Sequence, residues 1–279
     1  MIQQAYITAW RATAPWQDDA QVEQDLVLTR AVVEIFQNPQ LANKLALRGG
    51  TALNKLFIHP PSRYSEDIDL VQTVSEPSGP LIDMLRVVLY PWLGKPSRTV
   101  TRDGLTLLYR FNSEMPPVQS LRLKIEINTR EHFSVMGLQN VPLQVDNPWF
   151  RGNALVQTYH LDELMGAKMR ALFQRRKGRD LFDLWLCVSQ ALVDPQRVVD
   201  CLLHYMAQEQ HPITRAQYEQ NLHGKQSNPA FADDITPLLN ANVSYDPAKA
   251  LQLVRDVLVS RIPGAPWQGG KPRESRESK

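Results

Sequence analysis

Two aspartates one residue apart, Asp67-Ile68-Asp69, and an upstream double glycine, Gly49-Gly50, are the residues here whose types and spacing speak of chemistry. In a strand, side chains at i and i+2 share a face, so Asp67 and Asp69 point the same way while Ile68 and Leu70 turn to the core. Two carboxylates this close repel unless a cation or a proton intervenes. Magnesium suits such a pair, being a hard cation held by one or two carboxylates plus substrate phosphates; manganese is the alternative. Gly49-Gly50 follows a short apolar run, Leu45-Ala46-Leu47-Arg48, and precedes a helix. Glycine there lets the backbone approach a phosphate, and the helix N-terminus offers unpaired N–H groups. Thr51 is expected to cap that helix. Arg63 and Ser65, just ahead of the aspartates, are candidates to position phosphate or hydroxyl groups. Taken singly, these features also read as a solvated strand edge, an ordinary turn and surface side chains. In this order they suit a nucleoside triphosphate with its metal ions.

A third carboxylate comes from Leu121-Arg122-Leu123-Lys124-Ile125-Glu126-Ile127-Asn128, which is apolar on one face and polar on the other. A solvent-facing sheet would show the same alternation. If this strand lies beside the Asp-x-Asp strand, Glu126 joins Asp67 and Asp69, and three acids can hold two metal ions. Further along, Lys168 falls on the apolar stripe of an expected helix over 161–176. A lysine there must snorkel, pair with an acid, or face a pocket, where its compact charge would meet a triphosphate. Arg175, Arg176, Lys177 and Arg179 then place four cations in five residues, either a solvated helix end or a landing site for RNA phosphates. Asp180 and Asp183, one helical turn apart, are candidates to organise these arginines, cap the helix, or bear on the active site.

The elements that must position these residues fall into two regions. Residues 18–37 read as a helix stopped by Pro39, 45–48 and 67–72 as strands, and 81–93 as a helix. Segments 99–102, 105–111 and 121–128 alternate as strands, with Asp103-Gly104 as a hairpin turn. After Thr158 the pattern is helical over 161–176, 179–192, 195–209, 214–223, 230–241 and 247–260. Asp194-Pro195 and Asp246-Pro247 each supply a capping Asp followed by proline at the first helical position. The expected organisation is an α/β (α+β) core with a mixed sheet over 1–155, a helical domain over 156–262 that completes the active site, and a flexible tail over 263–279.

Composition is that of a globular protein: 43% hydrophobic and 22% charged over 279 residues. A formal charge of +2 excludes a strongly basic nucleic-acid binder, so any basic surface is local. Cys187 and Cys201 make no disulfide framework and are expected as buried thiols. Residues 1–10 lack a signal-peptide pattern and no apolar run spans a membrane, which points to a cytoplasmic protein.

Together these segments resemble the AbiEii/AbiGii toxin family of nucleotidyltransferases, which includes the mycobacterial MenT toxins. The resemblance runs from about residue 45 to 190 and rests on an ordered set. Gly49-Gly50-Thr51-Ala52-Leu53 comes first, then Arg63-x-Ser65-x-Asp67-Ile68-Asp69-Leu70 and Lys124-Ile125-Glu126-Ile127. Leu161-Asp162-Glu163 with Lys168 follows, and last Arg176-Lys177-Gly178-Arg179-Asp180-Leu181-Phe182-Asp183-Leu184. It implies a DNA-polymerase-β-like nucleotidyltransferase core followed by a helical domain. Carried onto these positions, Gly49, Gly50, Thr51, Arg63 and Ser65 would hold the nucleotide, and Asp67, Asp69 and Glu126 would be catalytic metal ligands. Lys168 would contact the nucleotide, and Asp180 or Asp183 would complete the site. The wider superfamily has Gly-Ser where this chain has Gly49-Gly50, so one serine hydroxyl is absent. The spacing from Gly50 to Asp67 is also longer than in compact members. The implied function is a two-metal-ion, NTP-dependent toxin of a toxin–antitoxin or phage-defence pair. It would add NMP to the 3′ end of tRNA and so block translation, with 175–179 on the RNA backbone and an antitoxin encoded by an adjacent gene. Alternatives are a nucleotidyltransferase acting on a protein or small-molecule hydroxyl, and a non-catalytic nucleotide- or RNA-binding member of the fold.

Overall fold

In the computed structural model, which describes residues 2–101, 104–226 and 228–269, the alternating segments join one mixed sheet, seven-stranded among the described residues. Its strands are β1 (Leu45–Arg48), β2 (Asp67–Gln72), β3 (Ser97–Val100), β4 (Gly104–Asn112), β5 (Ser120–Asn128), β6 (Leu138–Asn147) and β7 (Phe150–Tyr159). They lie in the order β3-β4-β5-β2-β1-β7-β6. β2 is parallel to β5 and β1 to β7, while the remaining neighbours are antiparallel. Ile68 and Leu70 of β2, and Leu123, Ile125 and Ile127 of β5, are buried. Burying each such side chain is worth about 1.5–3 kcal/mol. A one-residue slip would turn Asp67 and Asp69 inward instead, so the apolar face locks the register that holds the acids outward.

The first helices are α1 (Gln4–Trp10), α2 (Asp19–Gln37), α3 (Pro39–Ala42) and α4 (Gly49–Ala52), the last continuing as a π-helical stretch, Leu53–Phe57; α5 (Ser78–Leu93) follows β2. α2, capped by Asp18, packs against β5, β6 and β7. Its buried Asp25 accepts hydrogen bonds from the indole N–H groups of Trp10 (2.8 Å) and Trp16 (3.0 Å), and its carboxylate lies 2.6 Å from Lys55 Nζ. That buried pair fastens the π-helical stretch, and through it the Gly-Gly turn, to α2.

By its contacts the chain divides into Met1–Leu164 with Leu238–Ser244, and Met165–Pro237 with Tyr245–Lys279. The later helices are α6 (Leu161–Gln174), α7 (Gly178–Ser189), α8 (Pro195–Gln208), α9 (Arg215–Gln226), α10 (Pro229–Asp233) and α11 (Pro247–Val257). Asp194 and Asp246 cap α8 and α11 through their side chains, as the Asp-Pro pairs predict. Cys187 and Cys201 are buried free thiols.

Some expectations change. The single helix expected over 230–241 is α10 and a 3₁₀ turn, Thr236–Leu238. Pro237 has no N–H to continue the ladder, which breaks the segment there. The expected 247–260 helix ends at Val257 and is followed by a 3₁₀ turn, Val259–Arg261. α5 starts at Ser78, earlier than its apolar periodicity. α1 and the β6–β7 hairpin have no counterpart in the sequence reading. Asp103 of the expected turn and residues 270–279 of the expected tail lie outside the described residues. Among the described residues no helix is long and apolar enough to cross a membrane.

Candidate active site

β2 and β5 are neighbours, which supplies the adjacency that the third carboxylate required. Asp69 stands opposite Glu126 and Asp67 opposite Lys124, while Arg48, at the end of β1, faces Asp69 from the other side. Lys124 Nζ lies 2.9 Å from Asp67 Oδ2 and 3.2 Å from Glu126 Oε2. Burial pushes the Asp67 carboxyl above the usual range; Lys124 pulls it back, and Asp69 and Glu66 push it up again. Burial works against the Lys124 ammonium, but Asp67 and Glu126 outweigh it and hold its pKa above the ordinary lysine value. A cleft of about 230 Å³ opens here, lined among others by Arg48, Asp69, Thr106, Glu126 and Asn128.

The Gly-Gly turn is built against these acids. Gly49 has φ +76°, and a Cβ there would overlap the Asp69 carboxylate. A Cβ on Gly50 would strike the Arg63 guanidinium and come within 3.0 Å of Ser65 Oγ. Close approach thus requires glycine at both positions, and positive φ requires it at the first. Thr51 does not cap the helix: α4 begins at Gly49, with Arg48 at the cap position and no side-chain cap bond. The Thr51 hydroxyl instead bonds Ser65 Oγ (2.9 Å) and the Asp67 carbonyl, joining the glycine turn to the start of β2. Asn54 Nδ2 donates to the Gly50 carbonyl at 3.0 Å. Arg63 is buried and donates to the Tyr64 carbonyl (3.0 Å). Its backbone bridges Leu239, Tyr64 N–H donates to Leu238 O (2.7 Å), and Asn240 N–H to Ser62 O (3.0 Å).

Among the described residues, no three acidic, histidine or cysteine side chains converge as a ready cation site. Asp67 and Asp69 nonetheless offer the hard oxygen ligands that magnesium or manganese takes, leaving positions for water and phosphate. Burial disfavours the charged form of Asp67, a penalty that a bound cation would offset. The donor set therefore fits such an ion.

Lys168, Asp180 and Asp183 belong to the second unit. The carboxylates are fully buried, and Lys168 Nζ lies 3.1 Å from Asp180 Oδ1 and 2.8 Å from Asp183 Oδ2. Of the three fates open to a lysine on an apolar stripe, pairing with acids is therefore realised. Arg175 donates twice to Asp180, at 2.7 and 2.9 Å. Lys177 lies 3.2 Å and Arg179 3.6 Å from Asp234. The basic run is thus largely ion-paired, and Arg176 is exposed. Burial alone would raise the Asp180 carboxyl, yet Lys168 and Arg175 bring it down to about 2. A folded value below the ordinary 3.8 means that this contribution is present above about pH 4 and lost as pH falls towards 2. It amounts to about 2 kcal/mol. Urea midpoints measured at pH 5 and pH 2.5 should therefore fall further apart in the wild type than in Asp180→Asn; equal differences would show that Asp180 is not linked to acid stability.

The sequence reading gave no role to three residues. Lys124 sits two residues before Glu126 on the polar face, and that spacing was the signal for it. Arg48 ends the apolar run before Gly49. Lys225 continues the stripe of Tyr218 and Leu222 on α9; its buried ammonium bonds the last-turn carbonyls of α6 at Leu172 and Phe173. Burial, then Arg176, pushes it down to about 8.

The family described as "Nucleotidyl transferase AbiEii toxin, Type IV TA system" matches residues 30–256. No curated protein matches the chain. Among solved structures, the nucleotidyltransferase toxin MenT4 of Mycobacterium tuberculosis H37Rv superposes with TM-score 0.63 at 15% identity, covering 94% of this chain and 91% of that one. JHP933 of Helicobacter pylori gives TM-score 0.51 at 16% identity, covering 87% of this chain and 91% of that one. At such identities the likeness is one of fold.

Proposed function

The chain belongs to the AbiEii family of nucleotidyltransferase toxins, and from that premise we propose that it transfers NMP from an NTP to the 3′ end of tRNA. The observation that carries the transfer reading is the register that sets Glu126 beside Asp69 and Asp67, with the Gly49-Gly50 turn against the Asp69 carboxylate. A divalent ion held by Asp67 and Asp69, magnesium or manganese, would neutralise phosphate charge and lower the pKa of the acceptor hydroxyl. The backbone of Gly49 and Gly50 receives the triphosphate. Arg63 and Ser65, tied to that turn, fix its edge. Glu126, on the same face, takes the proton of the acceptor hydroxyl. That oxygen bonds the α-phosphorus, the bond from the α-phosphorus to the β-bridging oxygen breaks, and pyrophosphate leaves. Positioning supplies much of the acceleration.

Lys168, given a nucleotide contact by resemblance, pairs with both Asp180 and Asp183, of which one would complete the site by the same resemblance; the pairing supports a role in fixing α6 to α7. The exposed Arg176, with Arg175, Lys177 and Arg179 around it, supports contact with an RNA backbone, which gives affinity without reading sequence. The family's toxin–antitoxin setting supports a cognate antitoxin as partner and a role in phage defence.

Incubation with each α-labelled NTP in the presence of tRNA, total protein or metabolites tests the acceptor. Label at the tRNA 3′ end is expected; label confined to protein or small molecules would sink the tRNA assignment. Gly49→Ala checks the turn. Its methyl must enter the Asp69 carboxylate at positive φ, at a cost of about 1–2 kcal/mol. Displacing Asp69 should slow transfer ~10²-fold. Transfer within threefold of wild type, with an unchanged melting temperature, would show that the turn tolerates a side chain.

A further inference from the structure

Lys124 takes no part in the transfer just described, yet its ammonium sits among the acids that do. β5 fixes its backbone opposite Asp67, and Nζ reaches Asp67 at 2.9 Å and Glu126 at 3.2 Å. The side chain is 32% exposed, so its four-carbon stem can swing into solvent without disturbing the strand. Three carboxylates on one face carry three negative charges, and among the described residues they do not converge as a three-acid cation site. One compact positive charge stands between two of them instead.

We propose that Lys124 is a built-in counter-cation: it neutralises the acid face while no metal is bound, and divalent metal must displace it to bind. This rests on the reading of Asp67 and Asp69 as metal ligands. The physical basis is competition for the same oxygens. An ammonium brings one charge and is tethered, so it is always present at high local concentration. A divalent ion brings two charges and several coordination positions, so it displaces the ammonium once its concentration is sufficient. Lys124 therefore weakens metal binding while it stabilises the metal-free protein by screening Asp67 from Glu126 and Asp69. The displaced ammonium stays on the same face as the incoming anionic substrate.

The test is a Mn²⁺ titration of the full-length protein, with free Mn²⁺ counted by electron paramagnetic resonance, and melting curves measured in parallel. Lys124→Met should bind Mn²⁺ about tenfold more tightly than wild type, the effect of removing one partly screened charge at ion-pair distance. Metal-free Lys124→Met should melt lower than wild type and gain more from Mn²⁺. Lys124→Arg, which keeps the charge, should bind close to wild type. Lys124→Gln replaces the methionine variant should that one fail to fold. Equal or weaker Mn²⁺ binding in the neutral variants overturns the exchange, because a merely structural lysine would lower melting without tightening metal. If wild type binds no Mn²⁺ that Asp67→Asn removes, the metal reading itself falls, and the exchange with it. If wild type binds through Asp67 and the neutral variants are unchanged, only the exchange falls.

Discussion

Asp67→Asn and Asp69→Asn are each expected to lower nucleotide transfer at least ~10³-fold while the protein stays folded. Asparagine keeps the shape of aspartate and one acceptor oxygen but removes the charge, so the substitution separates catalysis from packing. Burial already disfavours the charged form of Asp67, so neutralising it relieves a penalty even as the Lys124 pair is lost. The net change in stability is then small, of order 1 kcal/mol or less, as for other partly exposed pairs. The loss of rate is large because groups aimed at developing phosphate charge, with the ions they hold, contribute ~10²–10³ or more each. Single-turnover transfer with saturating NTP, together with melting temperatures, provides the measurement. Transfer within tenfold of wild type in both variants would rule these aspartates out as catalytic. Growth arrest that persists in both variants without detectable transfer would favour a non-catalytic, binding mode of toxicity.

Lys168→Met is the second expected large effect, and it concerns stability rather than rate. Lys168 is 8% exposed and contacts two carboxylates that are 0% exposed. Removing the cation leaves Asp180 with Arg175 and takes the ammonium from Asp183. Breaking such a buried pair costs about 3–5 kcal/mol, because a charge held in low dielectric loses the attraction of the ammonium beside it. Urea unfolding of Lys168→Met should show that loss. Combining it with Asp180→Asn and Asp183→Asn should recover much of it, since replacing every charged member is often close to neutral. A loss below 1 kcal/mol would mean that the three residues are solvated in solution. An effect on transfer beyond the loss of folded protein would instead support the nucleotide contact implied for Lys168 by resemblance.

Much of this arrangement was legible in the chain because it is local. The alternation of 121–128 gives β5, and the apolar Ile68 and Leu70 between the aspartates fix which way Asp67 and Asp69 point. What sequence could not show was the lateral neighbour: β2 and β5 are joined by a long excursion through α5, β3 and β4, so only the fold sets Glu126 beside Asp69. Thr51 looked like a cap because it follows two glycines. Once Gly49 itself takes the first helical position, the Thr51 hydroxyl is free for Ser65 and Asp67. The β6–β7 hairpin escaped because Pro142 interrupts an alternating run. β6 is an edge strand, where a missing N–H is tolerated. The Lys168 pairing could be framed as one of three options, but choosing among them needed the burial of Asp180 and Asp183, whose acidity alone suggests surface positions.

The tie between Arg63 and Leu239 also bears on how the protein is made. Pro61, Ser62, Arg63 and Tyr64 are bonded by residues 238–240, and the Asn240 side chain reaches the Pro61 carbonyl across 179 positions of chain. A polypeptide emerging from the ribosome presents Gly49, Asp67 and Asp69 well before the residues that clamp the segment carrying Arg63 and Ser65, Asn240 lying 179 positions after Pro61. Vectorial synthesis thus leaves the segment around Arg63 without this tie until residues 238–240 have emerged, so the strands on either side of it can pair before the long-range contact closes on them.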